Sequence, residues 1–185
     1  MANPPLVWHF GFDITAVQEG NTSYLLNGLV EMENPATPAS PNVLTTQDTI
    51  SFYAFDVTAT GVSGYSPISA IFTFSNAQTG QSVPCPFNTS ITIPLSGNTT
   101  TDFQVANNAA VVQIGPLPLA AAAGKGTSAM FGPTTTYRQW GILPGLQISN
   151  RGRFLFNVEL TVQQGEGGPK RTFFVDPEMI VGGTN

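Results

Sequence analysis

The chain has 185 residues, of which only 9% are charged and 41% are hydrophobic, while Thr, Ser, Asn and Gln together number 57. Its 19 glycines and 15 prolines interrupt the sequence too often for the periodic segments of about 10 to 15 residues that helices need. This composition disfavours helical bundles, coiled coils and doubly wound α/β domains. The hydrophobic content suffices for one core, so we predict a single domain over residues 1–185.

The net charge of −5 argues against a polyanionic partner. The cationic residues are few and scattered, namely Lys125, Arg138, Arg151, Arg153, Lys170 and Arg171. Clustered Lys and Arg side chains supply most of the affinity for nucleic acids, and they also attract anionic lipids. No apolar run approaches the roughly 18 residues of a spanning segment. We therefore expect no nucleic-acid partner and no membrane partner.

Hydrophobic alternation predicts strands from the first residues onward. In residues 6–15, large apolar side chains such as Trp8 and Phe10 alternate with smaller or polar ones such as His9. This period of two predicts a strand with one buried face and His9 on the surface. Shorter stretches rich in β-branched or aromatic residues predict strands over residues 24–32, 49–57, 69–74, 90–95, 109–114 and 137–141, and a second clear alternation covers residues 153–162.

The connections are rich in turn residues. Three prolines in residues 34–41 lack the amide donor of a sheet ladder, which predicts a loop outside the sheets. Residues 116–126 predict a long connection with room for one helical turn. The glycine-rich residues 164–169 predict a chain reversal that pairs residues 154–162 with 171–175 as a hairpin.

These elements together predict the fold class. About eight or nine short strands joined by long Pro- and Gly-containing loops are typical of an all-β, single-domain antiparallel β-sandwich of jelly-roll or immunoglobulin-like type. A closed β-barrel is the alternative.

The sequence offers little for catalysis. His9 and Asp13 share a strand face, but at about 3.3 Å per residue their Cα atoms lie roughly 13 Å apart, too far for a direct hydrogen bond. Cys85 stands between two prolines without a neighbouring base, which predicts an inert thiol. Residues 124–128 place a lysine among glycines but lack the spacing of a phosphate-binding loop, which predicts a flexible loop. We predict no enzymatic activity and no catalytic residue.

Metal and cofactor sites are also poorly supported. One His and one Cys cannot supply the ligands of a structural zinc site. Glu31 with Glu33, and Asp176 with Glu178, are paired carboxylates, but neither pair has the spacing of a calcium-binding EF-hand loop. We predict no metal and no cofactor.

One aromatic residue allows two interpretations. Trp140 can serve as an exposed platform for a sugar ring, with Arg138 and Gln139 as hydrogen-bonding neighbours. Burial in the core is the other interpretation, and large aromatic side chains favour it. Arg138, Gln139 and Trp140 are the candidate ligand-binding residues.

Three segments of the C-terminal third follow one another in a recognisable order. Residues 137–140 contain Trp, residues 154–158 alternate with aromatics, and residues 173–177 read Phe-Phe-Val-Asp-Pro. With residues 47–50 as a match to a Gly-Asp-containing strand start, this succession resembles the PixA/AidA family of bacterial inclusion-body proteins. The resemblance implies a β-sandwich that accumulates or assembles in the bacterial cytoplasm, without established catalytic residues.

The sequence thus favours a non-enzymatic protein that self-associates into homo-oligomers or ordered inclusions, using exposed strands and Pro-rich loops as contacts. A surface with few charges offers little repulsion between copies. A soluble monomer, a binding module for a neutral glycan and, more remotely, a hydrolase built on His9 are the alternatives. The start of the sequence shows no secretory signal and Cys85 is the single cysteine, so we expect a cytoplasmic protein, with secretion as the alternative if a signal has been removed.

Overall fold

The strands are numerous and mostly short. The computed structural model describes residues 5–16, 23–32, 44–58, 63–76, 85–87, 90–94, 100–104, 111–119, 124–128 and 131–182. These ranges contain no helix and the following strands: β1 (Leu6–Phe12), β2 (Ser23–Tyr24), β3 (Leu26–Met32), β4 (Thr49–Asp56), β5 (Tyr65–Asn76), β6 (Ser90–Pro94), β7 (Thr100–Gln104), β8 (Val111–Pro118), β9 (Gly124–Ser128), β10 (Gly132–Gln147), β11 (Gly152–Gln164), β12 (Lys170–Val175) and β13 (Glu178–Val181). They outnumber the predicted eight or nine because several are two to five residues long.

Two packed sheets form the sandwich. The five-stranded sheet has the order β3-β1-β4-β10-β9, and the six-stranded sheet has the order β2-β12-β11-β5-β8 with β13 paired to β11. Strands β6 and β7 form a separate pair. The predicted β-sandwich is confirmed, but among the described strands β1 with β4 and β2 with β12 run parallel rather than antiparallel. The prediction of a single domain over residues 1–185 stays a prediction.

Aromatic side chains fill the space between the sheets. Trp8 of the five-stranded sheet meets Phe156 of the six-stranded sheet edge-on, with ring centroids 5.0 Å apart. Phe52 contacts Phe72 across the same gap at 5.1 Å in a T-shaped arrangement. Each such pair contributes about 0.5 to 1.5 kcal/mol beyond the area it buries. The alternating strands therefore place their large side chains in one shared core.

Strand β1 is buried on both faces, which corrects the prediction of a single buried face. His9, predicted on the surface, is only 6% exposed, and its ring lies 4.6 Å from that of Phe55. The reason is that aromatic rings cover the outer side of β1: those of Tyr53 and Phe55 on β4 flank His9, and that of Phe131 lies against Gly11. A Cβ at Gly11 would lie 3.0 Å from the Phe131 ring, so glycine permits this close approach.

The predicted C-terminal hairpin is confirmed. Strands β11 and β12 pair antiparallel from Val158 opposite Val175 to Gln163 opposite Lys170. The turn between them holds Gly165 at φ 61°, a conformation that glycine adopts without strain.

Two predicted connections are partly strand. Residues 124–128, predicted as a flexible loop, form the edge strand β9, because they pair with β10 at Lys125 opposite Arg138. The connection predicted to begin at Pro116 begins later, because β8 continues to Pro118 against β5. The Pro-rich loop over residues 34–41 and residues 120–123 of the helical-turn prediction lie outside the described residues.

Candidate functional site

Trp140 lies in the core rather than on the surface. Its side chain is 1% exposed, and its ring centroid lies 5.8 Å from that of Phe12. The core interpretation therefore describes Trp140, and the exposed sugar platform is wrong in this structure. Strand β10 lies between β4 and β9 in the five-stranded sheet. Trp140 is on the face of β10 that packs against the six-stranded sheet, so the core covers it.

Arg138 is engaged in contacts within the protein. Its guanidinium carbon lies 4.8 Å from the centroid of the Trp140 ring. Its two terminal nitrogens donate to the carbonyl of Tyr65 at 3.3 Å and to the hydroxyl of Ser66 at 3.1 Å. Because Tyr65 and Ser66 begin β5 of the other sheet, Arg138 links the two layers. The neighbouring Gln139 is half-buried and packs beside β9.

A second arginine links the layers at the same end of the sandwich. Arg171 of β12 donates to the carbonyl of Ile14, which follows β1. Nearby on β4, Asp56 is 1% exposed and accepts hydrogen bonds from the hydroxyl and the amide of Ser63 at 2.7 Å and 3.2 Å. Charge-assisted hydrogen bonds of this kind contribute about 1.5 to 3 kcal/mol each. Arg171 and Asp56 thus make hydrogen bonds that stabilise the fold, and these contacts explain their presence without a ligand.

The residues considered for catalysis lie in different surroundings. Asp13 accepts hydrogen bonds from the amide and the hydroxyl of Thr15, so it stabilises the turn after β1. His9 is enclosed by aromatic rings. Cys85 is buried, its sulfur lies 3.7 Å from the carbonyl oxygen of Phe87, and burial raises the pKa of its thiol. A raised pKa is the opposite of what a nucleophilic thiolate requires.

The paired carboxylates are directed to separate partners. Asp176 accepts a hydrogen bond from the amide of Asn157 at 2.7 Å, and Glu178 forms an ion pair with Arg153. Among the described residues, no three His, Cys, Asp or Glu side chains gather as metal ligands. The side chains of Glu31 and Glu33 lie outside the described part of the structure. No helix able to cross a membrane occurs in the described ranges.

The outer face of the six-stranded sheet carries the exposed large apolar side chains of the described residues. Tyr24 is 47% exposed, Leu155 is 48% exposed and Ile180 is 49% exposed. Their neighbours Phe173, Phe154 and Met179 point into the core, so alternation directs all three outward on this one face. No comparable side chain stands exposed on the described part of the other sheet.

Polar residues surround these apolar positions. The hydroxyls of Thr161 and Thr172 lie 3.3 Å apart on neighbouring strands. Arg153 donates through Nη2 to Glu178 at 2.9 Å and through Nε to the other carboxylate oxygen. Side-chain hydrogen bonds therefore hold much of this polar surface in place, with charges of both signs close together.

A groove crosses the same face. It has a volume of about 280 Å³ and is lined by Thr73, Ser75, Leu155, Phe156, Asn157, Asp176 and Pro177. Apolar groups from Leu155 and Pro177 are combined with hydroxyl, amide and carboxylate groups. The lining contains no cation, so the groove suits a neutral ligand with hydroxyl groups better than an anion.

Comparisons with known proteins give no relative. No family model, no curated protein and no solved structure matches the chain. The resemblance to the PixA/AidA family therefore stays a prediction.

Sequence reasoning missed the strand that completes this face. Residues 178–181 alternate between outward Glu178 and Ile180 and inward Met179 and Val181. The alternation is only four residues long and directly follows Pro177, so it reads as a chain end in the sequence. The outward direction of Glu178 and Ile180 follows from the register of β13 with β11, which four residues of local pattern do not specify.

Proposed function

We propose that this protein is non-enzymatic and acts by associating with copies of itself through the outer face of the six-stranded sheet. One observation supports this proposal most: Tyr24, Leu155 and Ile180, each about half exposed, all stand on this face. Burying apolar side chains of this size stabilises a contact between copies by about 25 cal/mol for each Å² removed from water. Leu155 and Ile180 are diagonal neighbours on paired strands, and exposed apolar side chains that adjoin one another in this way mark an interaction site.

The distribution of charged residues favours self-association through the outer face of the six-stranded sheet over self-association through the β9 edge. The edge strand β9 carries the exposed Lys125, and a lysine at this position opposes strand addition from a second copy. On the outer face, Arg153 and Glu178 neutralise each other, so two copies meet there without net repulsion. We therefore assign association to the face and not to the β9 edge.

Sedimentation velocity over a range of protein concentrations tests the proposal. We expect the average mass to rise with concentration. The double substitution Leu155→Thr and Ile180→Thr, which retains strand-forming side chains, should raise the dissociation constant by about tenfold or more. The substitution Gln147→Thr, at an exposed position of β10 in the other sheet, is the matched control and should change nothing. A wild-type protein that stays monomeric at the highest concentration reached contradicts the proposal.

A second candidate function is the binding of a neutral glycan in the groove. The observation that favours it is the arrangement of Asn157, Asp176 and two hydroxyl side chains around Leu155. Carboxylate and amide groups bind sugar hydroxyls, while the apolar carbons of a sugar ring pack on an aliphatic side chain. This location replaces the predicted one at Trp140, which is buried.

A glycan array followed by titration of any positive sugar tests this candidate. Replacing Asp176 with Ala should weaken binding by about tenfold or more, because a charged acceptor is lost. Glu166→Ala, which removes an exposed carboxylate from the β11–β12 turn, should leave binding unchanged. Absence of binding, or binding that is equal in the two variants, would reject the groove as the site.

A further inference from the structure

Four side chains on β11 and β13 form a patch with an unusual symmetry, which we call the corner patch. Arg153 is opposite Ile180, and Leu155 is opposite Glu178, in the antiparallel register of the two strands. All four point outward, because Phe154 and Met179 between them are buried. The charged residues therefore occupy one diagonal of a four-cornered patch, and the aliphatic residues occupy the other.

This arrangement is complementary to itself. We propose, on the basis of the proposed self-association, that the partner of the corner patch is the corner patch of a second copy, related by a two-fold axis along the Leu155–Ile180 diagonal. Rotation about that axis places Leu155 on Leu155 and Ile180 on Ile180. It also exchanges the ends of the other diagonal, so Arg153 of each copy faces Glu178 of its partner. An interface with two-fold symmetry requires a surface that matches itself in this way.

The other two-fold axes do not match. An axis along the charged diagonal places Arg153 on Arg153 and Glu178 on Glu178. An axis parallel to the strands places Arg153 on Ile180, and an axis perpendicular to them places Arg153 on Leu155. Each of these brings together like charges or buries a charge against an aliphatic side chain, which costs free energy.

The diagonal axis also fixes the relative orientation of the copies. Neighbouring strands lie about 4.8 Å apart, and alternate residues along a strand are about 6.6 Å apart, so the strands of the two copies cross at roughly 70°. This angle lies near orthogonal sheet packing. The side chains of Arg153 and Glu178 are 56% and 30% exposed, so both retain surface for a second contact.

Charge exchange tests the pairing directly. Each single substitution, Arg153→Glu or Glu178→Arg, places like charges together both within a copy and between copies. We expect the dissociation constant of self-association, measured by sedimentation velocity, to rise at least about tenfold in each variant. An equimolar mixture of the two variants restores every contact between copies, because the two carboxylates of the first variant then face the two guanidinium groups of the second. The mixture should associate as one-to-one pairs.

The double variant Arg153→Glu with Glu178→Arg separates this pairing from damage to the fold. It keeps the ion pair within each copy and the pairing between copies, so it should associate like the wild type. If the wild type associates but the mixture of the two single variants does not, the corner-patch pairing is wrong and the proposed self-association still holds. A monomeric wild type removes both.

Discussion

At the scale of single residues, Cys85 shows how packing determines chemistry. Its side chain is fully buried, its sulfur approaches the carbonyl of Phe87, and the amide of Asn150 donates to the carbonyls of Cys85 and Phe87 at 3.1 Å and 2.7 Å. Burial favours the neutral thiol, because a thiolate would lose its hydration. The sequence predicted an inert thiol from the missing neighbours, and the raised pKa agrees with that prediction.

The raised pKa of Cys85 predicts a pH dependence of stability. In the unfolded chain the thiol loses its proton at about pH 8.5, whereas in the folded protein it stays protonated to higher pH. Its contribution to the free energy of unfolding is therefore complete below the unfolded pKa and is lost as the pH rises through the folded pKa. Urea unfolding should therefore give a free energy of unfolding that falls as the pH is raised from about 7 to about 10.

Cys85→Ser provides the control, because the hydroxyl of serine stays protonated over this range. The wild type should lose stability relative to this variant only as the pH passes the unfolded pKa of the thiol. A difference between the two proteins that is the same at every pH would contradict the prediction.

At the scale of elements, the β11–β12 hairpin depends on a turn that has no room for a side chain at Gly168. The amide of Gln164 donates to the carbonyl of Pro169 at 3.1 Å and closes the turn. A Cβ added at Gly168 would lie 1.7 Å from the carbonyl oxygen of Gln164. Because that neighbour is backbone, the turn itself must move to admit any side chain.

Gly168→Ala should therefore destabilise the protein by about 1 to 3 kcal/mol, the usual cost of a locally strained backbone. Chemical denaturation followed by circular dichroism measures the loss. Gly141→Ala is the matched control, because its added Cβ would lie an ordinary 3.7 Å from Tyr53. Equal stability of the two variants would show that the turn tolerates the extra atom.

The same hairpin shows what could be predicted at this scale. Alternation over residues 153–162 and the glycines that follow them specify strand, turn and partner locally, so the prediction succeeded. Strand β9 has no apolar alternation, since Gly124, Lys125 and Thr127 are all exposed. It is a strand only because β10 pairs with it, and pairing between distant segments cannot be inferred from local pattern.

At the scale of the whole molecule, two sheets with a shared aromatic core are joined by arginines at one end. The sandwich itself followed from the sequence, because short alternating strands have few other ways to bury one face. The candidate site did not follow. The residue type of Trp140 allows exposure, but its side chain points from β10 into the core and packs beside Phe12, so it is buried. The common face of Leu155 and Ile180 depends on the register of β11 with β13, a pairing that the local sequence pattern does not specify.

The contact between Phe131 and β1 has a consequence for the protein during its synthesis. Phe131 lies against Gly11 on the outer side of the first strand, and its ring contacts those of Phe55 and Tyr137. The ribosome releases β1 long before it synthesises Phe131 and Tyr137. Throughout that interval the large apolar side chains of the nascent strand, Trp8, Phe10 and Phe12, also lack the core that later covers them, and exposed apolar segments of this kind are what chaperones recognise during translation.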